Sequence, residues 1–475
     1  MFDHNPTSSA VVRSGMSAIP GEVDTDRQPP MTVPLRHFLV GLALLLAGGV
    51  AGVLDAVGLL SGVSVLAHLH LLLAGWVCVT IMGAMVQFVP VWSNVALHSR
   101  RLATVQLWLV AVGVGGMAAA FATGALGWVH AFGGLALLGF WTFVYNVGRT
   151  LLDARPWGVT ERHFAFALAC FAAVPAMGFA LAMDYSMPFL AASPVARYRL
   201  VGAHATLAVF GAVLTTVLGA LYQLATMFTQ TELHGVDVHL RRFEEAGYPV
   251  GVVALATGRL LGSAPLARVG GLLVAVALGG FAVVLARRLV ETAVERTPML
   301  SRYAVAAVAM AAWALFTGRA WLVDPLARSA LLGGGPPHLL VFGVVGFVVL
   351  GTLYHVVPFI VWVHRYSDRL GYEPVPMIDD LYDDRVATAD FVCVTLGATG
   401  LVLASALGLP TAVTAVSGAL ATVGFALFAT NVLLVVREHS PRPLRAVLVS
   451  RLGDGGEPTG DSAGDGPGTA EDTVR

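Results

Sequence analysis

The chain has 475 residues, 57% of them hydrophobic and only 12% charged, with a mean hydropathy of +0.77. A soluble domain carries about 25% charged residues, so half that share leaves a water-facing surface of this size uncovered and excludes a soluble globular protein. The net charge of −1 offers no positive surface for nucleic acid; every one of the 28 basic residues is Arg.

Residues 1–35 are polar, contain Pro and lack the apolar segment of a signal peptide, so they are expected to form a disordered tail. Apolar runs then predict helices over 36–61, 66–93, 101–123, 126–149, 160–183, 197–228, 243–261, 266–287, 301–325, 337–363, 387–407 and 411–436. Most are long enough to cross a hydrocarbon core of about 30 Å. Backbone amides in lipid must be satisfied within their own segment, which makes such runs helical. The alternation of a transmembrane barrel is absent. The expected fold class is therefore an all-α, polytopic membrane bundle of about twelve transmembrane helices, followed by a tail over 437–475 that is disordered from residue 452 onward. Cys78, Cys170 and Cys393 lie inside apolar runs and read as small buried hydrophobes. Asp55, near the outer end of the first helix, is the one acid expected within a span; acids are otherwise missing from the middle of the membrane, which argues against a carboxylate relay of the pump type.

An even number of spans places both tails on one side. That side holds 22 of the arginines and the other holds 6. The positive-inside rule puts both termini in the cytoplasm of a plasma-membrane protein.

The second, sixth and tenth helices share a pattern. Gly75, Gly211 and Gly343 are spaced 136 and then 132 residues apart, and Gly83, Gly219 and Gly351 repeat both spacings. Gln87, Gln223 and His355 fall in one column. His68 aligns with His204, and His70 with His338. Glycines at this spacing are common where membrane helices pack, but shared polar columns are not. Three pseudo-symmetric four-helix repeats follow, at 36–149, 160–287 and 301–436.

Imidazoles in hydrocarbon are costly unless paired or ligated, so His68, His70, His204 and His338, all near the outer face with His130 at similar depth, form a candidate site. Zinc would want three or four converging ligands, whereas haem needs only two axial imidazoles. Ala74, Gly75 and Gly343 suggest small-residue walls suited to a flat macrocycle. Arg259 and Arg319, with Arg328 beyond them, are candidates for holding propionates, against the alternative of arginines reaching to the interface. Gln87, Tyr222, Gln223, Tyr354 and His355 line the inner half, where they would carry protons, contact a quinone or join helices. The charged loop from His364 to Arg385 either docks a partner or caps the bundle.

This arrangement resembles the catalytic subunit of the haem-copper oxidases. The tenth helix, with His338, Gly351 and Tyr354-His355-x-x-Pro358, is similar to that family's tenth helix, and His68 followed by Gln87-x-x-Pro90 to its second. The twelve-helix haem membrane proteins of the nitric-oxide response are a comparable match. The resemblance implies a low-spin haem, of b type, with His68 and His338 as candidate axial ligands, and a quinone, cytochrome or cupredoxin as electron partner. If those two share one gap, rotation by one repeat places His70 opposite His204 as a candidate second site, and leaves Thr206 and Pro336 facing the third gap. The sequence departs from the family where oxygen is reduced. Pro336 stands at the high-spin ligand position, Gly258-Arg259-Leu260-Leu261-Gly262 replaces the copper His pair, and His204 lacks its acidic or tyrosine partner. The paired arginines between the last two helices are also missing. Copper is therefore not expected, and electron transfer or haem-based sensing is expected instead of terminal oxidation. A transporter sharing a threefold repeat is the alternative, although broken helices or paired mid-membrane charges are not evident.

Overall fold

A computed structural model describes residues 29–449 of the chain. Among the described residues the long elements are α1 (Thr32–Ala56), α2 (Ser64–Ser93), α3 (Arg100–Thr123), α4 (Leu126–Asp153), α5 (Val159–Met183), α6 (Arg197–Thr229), α7 (Val236–Leu261), α8 (Ala264–Val290), α9 (Pro298–Val323), α10 (Leu339–Arg365), α11 (Asp384–Leu407) and α12 (Thr411–His439). A short helix, α13 (Leu444–Val449), follows. Eleven of the twelve long helices are apolar and long enough to cross a membrane. The other, α7, carries Asp237, Arg241, Arg242, Glu244 and Glu245 in its first turns. The protein is an all-α, multi-pass membrane bundle.

Several boundaries move outward from those expected. The first helix starts at Thr32, with Met31 already buried, so the polar tail is shorter than 35 residues. The disorder expected from 452 lies outside the described residues, as does most of the first tail. After α12 the chain is ordered through α13, whose Val447 carbonyl accepts from Arg36 Nε (2.8 Å). The described termini therefore share one end of the bundle, called here the terminal face; α2, α6 and α10 begin at the opposite, far face. Residues 366–383 cap the terminal face. Trp362 donates to the Pro376 carbonyl (2.7 Å), and Tyr382 packs edge-on against Tyr354.

Three helices form the inner ring. In α2, α6 and α10 the apolar windows are 72%, 78% and 89% buried, against 56% at most in the other eight membrane-length apolar helices. These three line a narrow apolar cavity of about 60 Å³ in triplets: Thr80, Thr216 and Val348, then Ile81, Val217 and Val349, then Ala84, Ala220 and Thr352. Each triplet repeats the glycine spacings, which places a pseudo-threefold axis along the cavity. Each inner helix also widens into a π-helical stretch, over Leu71–Val77, Leu207–Leu214 and Leu339–Gly346. These stretches begin at the same spacings. π turns are rare and concentrate at functional sites.

The outer helices repeat as packed hairpins. A Cβ built on Gly113 would stand 2.8 Å from the Phe132 carbonyl oxygen and 2.5 Å from Ala136 N. Gly251 meets Gly270 O and Val274 N at 2.9 and 3.0 Å, and Gly397 meets Ser417 O and Ala421 N at 2.7 and 2.6 Å. The same backbone-to-backbone approach thus joins α3 to α4, α7 to α8 and α11 to α12, and α12 closes the ring on α1.

Backbone cannot yield as a side chain can. Gly270→Ala would bring a Cβ to 2.3 Å from Leu255 N and is expected to destabilise the protein by about 1–3 kcal/mol. Gly148→Ala, where a Cβ meets nothing within 4 Å, should be neutral or slightly stabilising. Thermal unfolding in detergent compares them.

Candidate functional site

The histidines of the inner ring stand at the far face, just before or at the start of each π stretch. His68 Nδ1 donates to the Gly48 carbonyl of α1 (2.8 Å). Its ring lies over Gly52, where a Cβ would come within 2.5 Å of Nδ1, so only glycine admits the ring there. His204 is held alike: Nδ1 donates to the Val174 carbonyl of α5 (3.1 Å), and the ring covers Gly178. Gly48 to Val174 and Gly52 to Gly178 are the same step in sequence, so one local geometry is built twice. His70 Nδ1 donates to Leu66 O (2.8 Å), one turn back on its own helix, and its ring packs beside Phe121.

A carbonyl only accepts, so the proton of each of these three rings sits on Nδ1 and leaves Nε2 with a free lone pair. That is the form in which imidazole ligates a metal, with the second nitrogen fixing the ring. His338 stacks on Phe342 with centroids 5.7 Å apart, and its Nδ1 is buried with no hydrogen-bond partner. A buried polar atom left unpaired is uncommon and costly. His338 lies within Coulombic reach of His68, and His204 within that of His70. The histidines therefore come together as two pairs, His68 with His338 and His70 with His204. Two imidazoles from different helices, one orphaned, fit the axial donor set of a haem. Among the described residues no group of three His, Cys, Asp or Glu converges as a metal site; a pair of axial ligands does not require one.

The third gap is built differently. Thr206 accepts from Arg259 Nη1 (2.7 Å). The same guanidinium donates to Pro325 O (3.2 Å), Leu331 O (2.9 Å) and Ala330 O (3.0 Å), so four of its five N–H groups are engaged. Arg259 thus stitches α6 and α7 to the segment before α10. Arg319 is exposed on α9 and Arg328 is exposed beside Tyr198. His130 lies apart from both pairs, with Nδ1 3.0 Å from Ser186 Oγ. Two further expectations are corrected. Gly75 and Gly343 do not wall the histidine pairs; they face Leu44 of α1 and Ala309 of α9, as helix contacts.

The second correction concerns acids. Glu244 and Asp390 are fully buried inside α7 and α11, near the terminal face. Glu244 bridges to His163 of α5, and Asp390 to Arg302 of α9. Predicted helix starts at 243 and 387 had left both acids at the membrane edge. The glycine columns carried a signal for this layer: a Cβ on Gly83, Gly219 or Gly351 would strike His37, His163 or Arg302.

No known protein family matches the chain, and a comparison with curated proteins finds no match.

The anchoring role of Arg259 has a direct test. Arg259→Met strips donors from three carbonyls and Thr206, and should lower stability by about 2–4 kcal/mol. Limited proteolysis should then cut within residues 324–335 before elsewhere; uniform cleavage would contradict the assignment.

Proposed function

We propose that the chain is a haem-binding membrane redox protein, related in design to the haem-copper oxidase catalytic subunit, with a b-type haem held between His68 of α2 and His338 at the start of α10. The observation that carries this reading is the facing pair itself: His68 with Nδ1 tied to a backbone carbonyl and Nε2 free, and His338 with a buried nitrogen lacking any partner. His70 and His204 form a second candidate pair of the same chemistry. When bound, haem iron supplies a one-electron couple. The protein's part is to fix both imidazoles on separate rigid helices, to exclude water with the apolar walls of the ring, and to orient the His68 ring through Gly48 and Gly52. With imidazoles on both axial positions no open coordination site is offered to a gas, which favours electron transfer or haem-based sensing over oxygen reduction. A quinol, a cytochrome or a cupredoxin would be the electron partner. We place the protein in the plasma membrane with the terminal face in the cytoplasm, on the Arg asymmetry between the two faces.

Protein purified from haem-replete cells should be red, with a low-spin bis-imidazole spectrum. His68→Ala and His338→Ala should each remove the same component of that signal, which His70→Ala leaves in place. A colourless, folded protein would overturn the assignment. For the topology, a reporter fused after Leu261 should read external and one after Arg437 cytoplasmic; both on one side would contradict the orientation.

A further inference from the structure

The terminal-face layer repeats three times with three different chemistries. The hairpin glycines Gly113, Gly251 and Gly397 make equivalent contacts. Seven residues before each stand Gln106, Glu244 and Asp390, all buried. The inner-ring glycines face His37, His163 and Arg302 in turn, and three residues after those glycines stand Val86, Tyr222 and Tyr354. The equivalent sets are therefore His37, Gln106 and Val86; His163, Glu244 and Tyr222; Arg302, Asp390 and Tyr354.

The third set is an ion pair whose cation keeps its proton. Arg302 pairs with Asp390, which also accepts from the Tyr354 hydroxyl; a guanidinium does not give up its proton in a protein. The first set is neutral. His37 Nδ1 donates to Val33 O (2.8 Å), and His37 Nε2 and both amide atoms of Gln106 are buried without partners. An imidazolium there would have no counterion.

The second set differs from both. His163 Nδ1 donates to Val159 O (2.8 Å), so it carries a proton. Nε2 lies 3.1 Å from each oxygen of Glu244, and the Tyr222 hydroxyl donates to Oε2 (2.9 Å). A lone pair on Nε2 would face a carboxylate across 3.1 Å with nothing between them. The geometry requires a proton in that gap, held as imidazolium with carboxylate or as imidazole with carboxylic acid. Neighbouring charges are Glu245 and Arg241 on α7 and Glu161 and Arg162 on α5; Arg162 is paired to Glu245 (2.6 Å). The Tyr248 hydroxyl is engaged with Phe210 O (2.7 Å). Beside this set lies a cavity of about 240 Å³ lined by Thr160, Glu161, Tyr222, Gln223 and Arg241, roomy enough for several waters at about 30 Å³ each.

We propose that His163, Glu244 and Tyr222 form a proton-binding site served by this cavity, the one among the three equivalent sets built to take up and release its proton. The proton leaves Nε2 through Glu244 and the Tyr222 hydroxyl to cavity water and returns by the same route, so no other reactant is needed. Histidine is the side chain whose charge changes near neutral pH, and a facing carboxylate keeps it within that range despite burial. The site is independent of haem.

The test uses the full chain in lipid nanodiscs and infrared difference spectra between about pH 9 and about pH 5. Two variants copy pairings the fold already contains: His163→Arg reproduces Arg302 with Asp390, and Glu244→Gln reproduces His37 with Gln106. The wild type should show a one-histidine protonation change that His163→Arg lacks. Glu244→Gln should move its midpoint down by about one pH unit or more. Thermal unfolding reports that each variant is folded, and either variant alone decides. A His163→Arg spectrum superimposable on the wild type, or an unmoved midpoint in Glu244→Gln, would overturn the proposal.

Discussion

Inside a bilayer a polar side chain has no water to turn to, and each one that is kept there must be satisfied by the protein or by something the protein binds. This constraint sorts the buried polar groups of the chain into two layers. Near the terminal face, Glu244 and Asp390 find cationic or protonated partners and hydroxyl donors. Near the far face the groups are imidazoles, three of them tied to backbone carbonyls through Nδ1 and the fourth, His338, left with a buried nitrogen short of a partner. Satisfied groups explain stability, since removing one partner of a buried ion pair costs about 3–5 kcal/mol. The unpartnered His338 nitrogen, beside the free lone pair of His68, points to a ligand.

One scaffold supports both layers. Glycines bring helix backbones together in each repeat, and the three inner helices then present equivalent positions around one axis. What differs between repeats is the side chain mounted at each position. At the far face two gaps hold imidazole pairs, while the third is closed by Arg259 and Thr206. At the terminal face a neutral set, a protonated set and a fixed ion pair occupy the three positions. A single packing solution therefore gives the chain several chemically distinct sites, with the equivalent sets serving as controls for one another.

The bundle and its repeat were legible in the sequence because apolar length and glycine spacing are direct consequences of crossing lipid and packing helices. The expected pairing of His68 with His338 came from the family resemblance, and that of His70 with His204 from the repeat, because the offsets between inner helices carry one gap onto the next. The π stretches were not legible, since nothing in residue preference separates a π turn from an α turn. The Glu244 and Asp390 layer was missed for a different reason. Gln106, Glu244 and Asp390 share a position without sharing a chemistry, and α7 begins with enough charge that its first turns read as a loop. Gly75 and Gly343 were assigned to the wrong neighbours because spacing identifies a helix face without saying which helix it meets.

The central claim is that the far-face imidazoles of His68 and His338 would hold a haem between them. An electron cryomicroscopy map of the intact chain, purified from haem-replete cells, tests it most directly. The account predicts a flat density sandwiched between the His68 and His338 rings, with the His68 Nδ1 still on the Gly48 carbonyl. Direct packing of the two rings against protein atoms, with no density between them, would contradict it.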